Sequence, residues 1–257
     1  MDTPILFLIF GGGVLAGIIN TVAGGGSIIT LPLLVFAGLP ANIANGTNRV
    51  AIVFQNVSAI AGFKKHGFTV GREAWVPLIP SILGAYAGVR LAIDLDEAVL
   101  RRAIGFVLVL MLVPILRKSP TPAKAGPVNP PSGPWVWPAY FLIGVYGGFI
   151  QAGVGFLYLA LLVGVHHMDL VRANLLKVFY VLIWSLFALA VFAIEDQIAW
   201  APGLVLAAGN ALGGWLGVHM AVEKGERWIR AILVVAALVA ATKLTGLADV
   251  VGRLLGL

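Results

Sequence analysis

GIINTVAGGGSIITLPLLVFAGLPANIANGTNRVA, residues Gly17 to Ala51, decides the fold. An apolar run from Pro4 ends at Val22, Ala23-Gly24-Gly25-Gly26 interrupts it, and a second apolar run, Ser27 to Gly38, has only twelve residues. At about 1.5 Å per helical residue, twelve residues cover about 18 Å, against about 30 Å of hydrocarbon in a bilayer. If Ala23 to Ser27 is extended at about 3.3 Å per residue, it adds roughly 13 to 16 Å, and the element crosses as an extended half followed by a half-helix. The helical N-terminus then falls near the midplane, where its N–H groups and partial positive charge face inward.

The rest of the chain puts this segment in a membrane. Of 257 residues, 60% are hydrophobic and 11% charged, and the mean hydropathy is +0.99; a soluble domain carries about 25% charge. The apolar runs are too long and too glycine-rich for the short alternating strands of a barrel, so the spanning elements are expected to be helices. Ten runs are visible: Pro4 to Val22, Ser27 to Gly38, Ile43 to Gly62, Trp75 to Ile93, Val99 to Leu116, Trp135 to Ala152, Phe156 to Val165, Leu170 to Ile194, Trp200 to Val222 and Trp228 to Leu247. The N-terminus lacks a basic region and a small-residue cleavage site, so the first run is expected to be retained. Arg117 to Pro134, rich in proline, glycine and lysine, is the one clear linker. There is no cysteine, which excludes thiolate chemistry, and the net charge of +6 lies in loops between apolar runs, where it serves orientation and not nucleic acid.

The halves repeat at an offset of 129 residues. Ala23 to Gly26 falls on Ala152-Gly153-Val154-Gly155, Ala44-Asn45 on Ala173-Asn174, and Ser81 to Val89 on Asn210 to Val218. Five crossings per half would invert the second half, and the loops agree: Lys64, Lys65 and Arg72 correspond to a stretch with Glu195 and Asp196. Threading ten crossings gathers most basic residues, Lys65, Arg117 and Arg172 among them, on one side, which the positive-inside rule makes cytoplasmic, with both termini outside.

Inverted halves bring the two half-helix N-termini toward one central space, an anion site built from backbone. Glycines permit close approach, and Asn20 and Gln151 stand just upstream as side-chain donors. All eleven carboxylates lie at segment ends or in loops, so none marks a cation path. Arg49 and Lys177 sit about one turn into corresponding elements, and as buried cations they call for an anionic partner that only a ligand can supply. Two blander readings compete: the glycines serve only close helix packing, and both cations snorkel to the interface. Of the four histidines, His66, His166 and His167 lie near segment ends and His219 inside the ninth run; the pattern suits interfacial positions better than a proton shuttle, and it has no metal-ligand spacing or catalytic triad.

Gly17 to Ala51, with YGGFIQAGVGFLYLALL (Tyr146 to Leu162) and MDLVRANLLK (Met168 to Lys177), resembles the two signature regions of the sulfite exporter TauE/SafE family, also called the toluene sulfonate uptake permeases. The likeness covers essentially the whole chain, including its length and mid-chain linker. It implies a bacterial or archaeal inner-membrane transporter of sulfur-containing anions such as sulfite or organosulfonates, coupled to a proton or sodium gradient. Members are named both for export and for uptake, so direction stays open, as does the substrate.

These readings combine into one expectation: an all-α integral membrane protein of about ten elements in two inverted five-element repeats, each with a Gly-broken discontinuous helix. Residues 1–118 form the first repeat, 119–134 a cytoplasmic linker and 135–257 the second repeat. The chain is expected to be a secondary transporter and not an enzyme, without cofactor, metal or nucleic-acid partner, working by alternating access in the lipid bilayer. Its substrate site is expected to comprise Asn20, Gly24, Gly25, Gly26, Ser27, Asn45, Asn48, Arg49, Gln151, Gly153, Gly155, Asn174 and Lys177. The alternative is an anion channel of the same architecture.

Overall fold

The computed structural model describes residues 3–111 and 135–223. The regular elements among them are all helical. The linker, the end of the fifth apolar run and the tenth run lie outside the described residues.

Helix α1 (Thr3–Ala23) is apolar throughout and ends at Gly24, whose φ of +85° suits glycine and whose N–H donates to Ile19 O and Asn20 O at 3.2 and 2.9 Å. Helix α2 (Ser27–Phe36) starts at once, because Gly26 is already in the right-handed helical region. The break is therefore a tight turn and not an extended half-crossing. Gly26 lies against Ala16 O, Gly12 faces the Leu33 side chain, and Ile9 shares an apolar cluster with Leu34, so α2 runs back along α1. The expectation of an extended half-crossing is corrected: α1 and α2 form a helical hairpin that turns back at Gly24–Gly26. A length argument sees only that twelve residues are too few, and folding back satisfies it as well as stretching does.

The second half does the same. Helix α6 (Val136–Phe149) has 14 residues, about 21 Å of helix. After the turn Ile150–Gly153, helix α7 (Val154–Leu159) continues into a π-helical turn, Ala160–Val165, where the sequence suggested one plain helix. Gly147 meets the Val154 side chain, and the Tyr140 ring lies 6.0 Å from Tyr158 and 6.5 Å from His166, so this segment also returns along its partner.

Between the hairpins come α3 (Ala41–Lys65), α4 (Leu78–Asp94) after a 3-10 turn at Arg72–Trp75, and α5 (Glu97–Leu110), whose N-cap Asp96 accepts from the Ala98 and Val99 N–H groups. After the second hairpin come α8 (Leu170–Ile194), capped by Asp169, and α9 (Trp200–Glu223). Among the described residues three helices are long and apolar enough to cross a bilayer: α1, α8 and the Trp200–Ala221 part of α9. Large apolar side chains are exposed around the bundle, Phe7, Leu142 and Ile194 by 73, 64 and 80%. Such a belt suits lipid and would aggregate in water. The polar residues are inside: α3 buries Asn45, Thr47, Asn48, Arg49, Gln55 and Asn56.

Helices of the two sequence halves interlock through small residues. Gly84 and Gly88 of α4 press on the carbonyls of Phe141 and Val145 in α6, and Gly209 and Gly213 of α9 on those of Phe10 and Val14 in α1; a Cβ at any of the four would stand 2.0 to 2.3 Å from an oxygen. This spacing of four lets membrane helices approach backbone to backbone. At one end of the bundle Arg90 pairs with Glu195 at 2.7 Å, and the Ala199 N–H donates to the Thr47 hydroxyl at 2.9 Å. At the other end the His66 and His219 rings meet edge to face at 4.7 Å. The first hairpin opens toward the Glu195 end, with Ile9 beside Leu206 and Ala207, and the second toward the His66 end, with Val136 beside Ala74 and Leu78.

Candidate functional site

The two hairpins touch at their tips. A Cβ on Gly155 would lie 2.3 Å from Gly24 Cα, and one on Gly24 would lie 2.6 Å from Gly155 Cα, so only glycine at both positions allows this contact. Beside it lies a narrow cavity of about 10 Å³, room for about one water molecule, lined by Asn20, Ser27, Asn56, Gln151, Val154, Gly155, Lys177 and Val181. Ser27 opens α2, and Val154 and Gly155 open α7.

Arg49 and Lys177 shape the electrostatics of this space. Arg49 is fully buried, and its guanidinium donates to Gly147 O at 2.7 Å, Gly148 O at 2.9 Å and Asn45 Oδ1 at 3.2 Å. The Asn45 amide donates to Phe149 O at 2.8 Å, so one cation and one amide of α3 hold the last three carbonyls of α6. Lys177 and Asn174 of α8 do the same for α1: the ammonium donates to Asn20 O, Thr21 O and Asn174 Oδ1, and the Asn174 amide to Val22 O at 3.4 Å. Each clasp places positive charge on the negative end of a helix, a favourable match. The starts of α2 and α7, the positive ends, are left facing the cavity region.

Residues 9–244 match the family described as "Sulfite exporter TauE/SafE". The chain belongs to the sulfite exporter TauE/SafE family. It is similar to a "Probable membrane transporter protein" of Haemophilus influenzae, 29% identical over 90% of this chain and 91% of that one. It also resembles the "Probable membrane transporter protein ORF9" of a Sinorhizobium species (28%, 93% and 92%) and YfcA of Escherichia coli K12, another "Probable membrane transporter protein" (26%, 95% and 91%). No solved structure matches. The chain is a multi-pass membrane transporter of the TauE/SafE family.

In this TauE/SafE chain the structure brings Asn20, Ser27, Gln151, Gly155 and Lys177 together on the cavity wall. Gly24, Gly25, Gly26 and Gly153 form the two tight breaks behind it, with Gly153 at φ +73°. Asn45, Asn174 and Arg49 belong to the clasps. Asn48 fastens α2 to α3, accepting from the Thr30 hydroxyl at 2.6 Å and donating to Ser27 Oγ at 3.2 Å. Two expectations need correction. Arg49 and Lys177 lie about two turns into their helices, because α3 starts at Ala41 and α8 at Leu170. Neither snorkels, at 0 and 2% exposure, and each is held by two backbone carbonyls and an asparagine side-chain oxygen, so a ligand is not required to satisfy their donors. Sequence reasoning missed Asn56, Gln55 and Ser185. Gln55 accepts from the Asn20 amide at 2.6 Å, and Ser185 from that of Gln151 at 3.3 Å. The available signal was the run of amides and hydroxyls along α3, polar on a helix otherwise bound for the core.

Proposed function

We propose that the chain is a secondary transporter carrying a small sulfur-containing anion, of the sulfite or organosulfonate class, across a prokaryotic inner membrane by alternating access around the cavity beside Gly24 and Gly155. The observation that carries this reading is the meeting of two helix breaks at a buried, polar-walled cavity. Its wall includes an ammonium and the starts of two helices, and no carboxylate is among its lining residues. Capping of α1 and α6 by cations from α8 and α3 leaves a net positive field there, which selects anions. In this reading Asn20, Ser27, Gln151, Gly155 and Lys177 contact the ligand; Gly24 to Gly26 and Gly153 shape the backbone, and Asn45, Asn48, Arg49 and Asn174 hold the walls. Residues 1–118 and 135–257 are inverted five-element repeats joined by a cytoplasmic linker at 119–134. The hairpins enter from the two sides, and the fourth helix of each repeat moves with the hairpin of the other. A proton or sodium gradient supplies the driving force.

The test is uptake of sulfite and methanesulfonate into proteoliposomes holding the full chain, with binding measured in parallel. Saturable flux driven by an imposed gradient is expected, and Lys177→Gln weakens binding about tenfold, roughly 1.4 kcal/mol. Unsaturable conductance, or no binding of any sulfur oxyanion, refutes the reading.

A further inference from the structure

Lys177 carries the one formal charge among the described residues lining the cavity. An ammonium has three N–H donors, and three oxygens already accept from this one: Asn174 Oδ1 at 2.6 Å, Asn20 O at 2.9 Å and Thr21 O at 3.0 Å. Lys177 therefore lends the cavity charge, while directional bonds to a ligand must come from neutral groups. Two such groups are open. Asn56 Nδ2 and Gln151 Oε1 are buried with no hydrogen-bond partner, on side chains 1 and 2% exposed, and both residues line the cavity. Buried amides without partners are costly, and a ligand that supplies one recovers that cost. Gln151 is adaptable: its Nε2 donates to the Ser185 hydroxyl at 3.3 Å, and a hydroxyl donates as readily as it accepts, so this amide can present either face. Asn56 is fixed on α3, the helix that also holds both hairpins through Asn48 and Arg49.

We propose that Asn56 is the specificity-determining donor of this site, and that the cavity takes a singly charged oxyanion, R–SO3⁻ or HSO3⁻, in preference to a dianion. The proposal rests on the reading of the cavity as an anion site. The one ammonium on the cavity wall, its charge already shared with two helix-end carbonyls, balances one negative charge, while the Arg49 guanidinium is held on Gly147 O and Gly148 O and is not among the lining residues; a second negative charge would have no counterion on the wall. Oxygens of the anion accept from the Asn56 amide, and a protonated oxygen, where present, donates to Gln151 Oε1.

The test uses the full chain in lipid nanodiscs, with methanesulfonate and sulfate as probes and dissociation constants from calorimetry. Wild type is expected to bind methanesulfonate at least about tenfold more tightly than sulfate. Asn56→Ala weakens methanesulfonate by about tenfold or more, Asn56→Ser recovers part of the loss, and Asn56→Asp, which replaces the donor by a carboxylate, removes binding of both probes. Unfolding midpoints of the unliganded proteins show that each variant is folded; if the alanine variant is not, the serine and aspartate variants carry the comparison. Wild-type affinity in the folded Asn56 variants, or sulfate bound as tightly as methanesulfonate, overturns this proposal and leaves the transporter reading standing. Binding of neither probe by wild type overturns the anion site itself, and this proposal with it.

Discussion

Replacing Arg49 separates a structural cation from a ligand-binding one. Its guanidinium makes two bonds to helix-end carbonyls and one to Asn45, and its face lies 5.8 Å from the Trp184 ring and 5.5 Å from the Phe192 ring. Arg49→Met keeps most of the volume but leaves Gly147 O and Gly148 O buried without this donor. Hydrogen bonds to charged groups contribute about 1.5 to 3 kcal/mol each, and breaking a buried charged contact typically costs about 3 to 5 kcal/mol. Removing the cation also abolishes its own desolvation cost, which offsets part of the loss. A net destabilisation of about 3 kcal/mol is expected, with Arg49→Lys milder because an ammonium can hold one of the two carbonyls. Because Arg49 is absent from the cavity lining, folded Arg49→Lys is expected to keep anion affinity within about threefold, less than 1 kcal/mol. The measurement is reversible unfolding in mixed micelles alongside ligand titration. Wild-type stability in Arg49→Met, together with a tenfold loss of affinity in Arg49→Lys, refutes the clasp and makes Arg49 a ligand residue.

Three further outcomes are expected. In the cysteine-free chain, Lys65→Cys is labelled by an impermeant thiol reagent from the cytoplasm and Asp196→Cys from outside; labelling of both from one side contradicts the inverted arrangement. Gly155→Ala drives a methyl group into Gly24 and abolishes ligand binding, whereas Gly164→Ala, with open space around its Cβ, stays within about 0.5 kcal/mol of wild type; equal behaviour of the two would show that the tips are not in close contact. His166, just beyond the π-helical turn, has its pKa pushed below the usual 6.5 by burial and by the charge of His167. The fold favours its neutral form, so its contribution is complete above that value and is lost as pH falls through it toward the lower folded pKa. Thermal unfolding of wild type and His166→Asn over that range should converge at low pH, and parallel curves would discount it.

The glycine breaks were legible because they leave a mark in residue type. Ala23 to Gly26 and Ala152 to Gly155 carry it most plainly, and Gly24 and Gly155 do meet. The path of the chain after the break was not legible, since a stretched strand and a hairpin satisfy the same count of residues. The helix-end partners of Arg49 and Lys177 were hidden for a different reason: they are backbone carbonyls, which every residue has, so no letter announces them. Asn56 escaped notice because position 185, its counterpart at the repeat offset, is serine, and a search for matched pairs passes over it.

The clasp between Arg49 and Gly147 spans 98 residues of chain, and this separation bears on how the protein is made. At about 5 to 20 residues per second, the ribosome needs on the order of 5 to 20 s after Arg49 to produce the carbonyls that receive it. Over that interval the nascent third helix holds a guanidinium whose acceptors do not yet exist, and α1 awaits the glycines of α9 still longer. Lateral release of α3 into lipid is therefore expected to wait for the second hairpin, so the translocon, or an insertase chaperone beside it, must shelter half a transporter until the other half arrives.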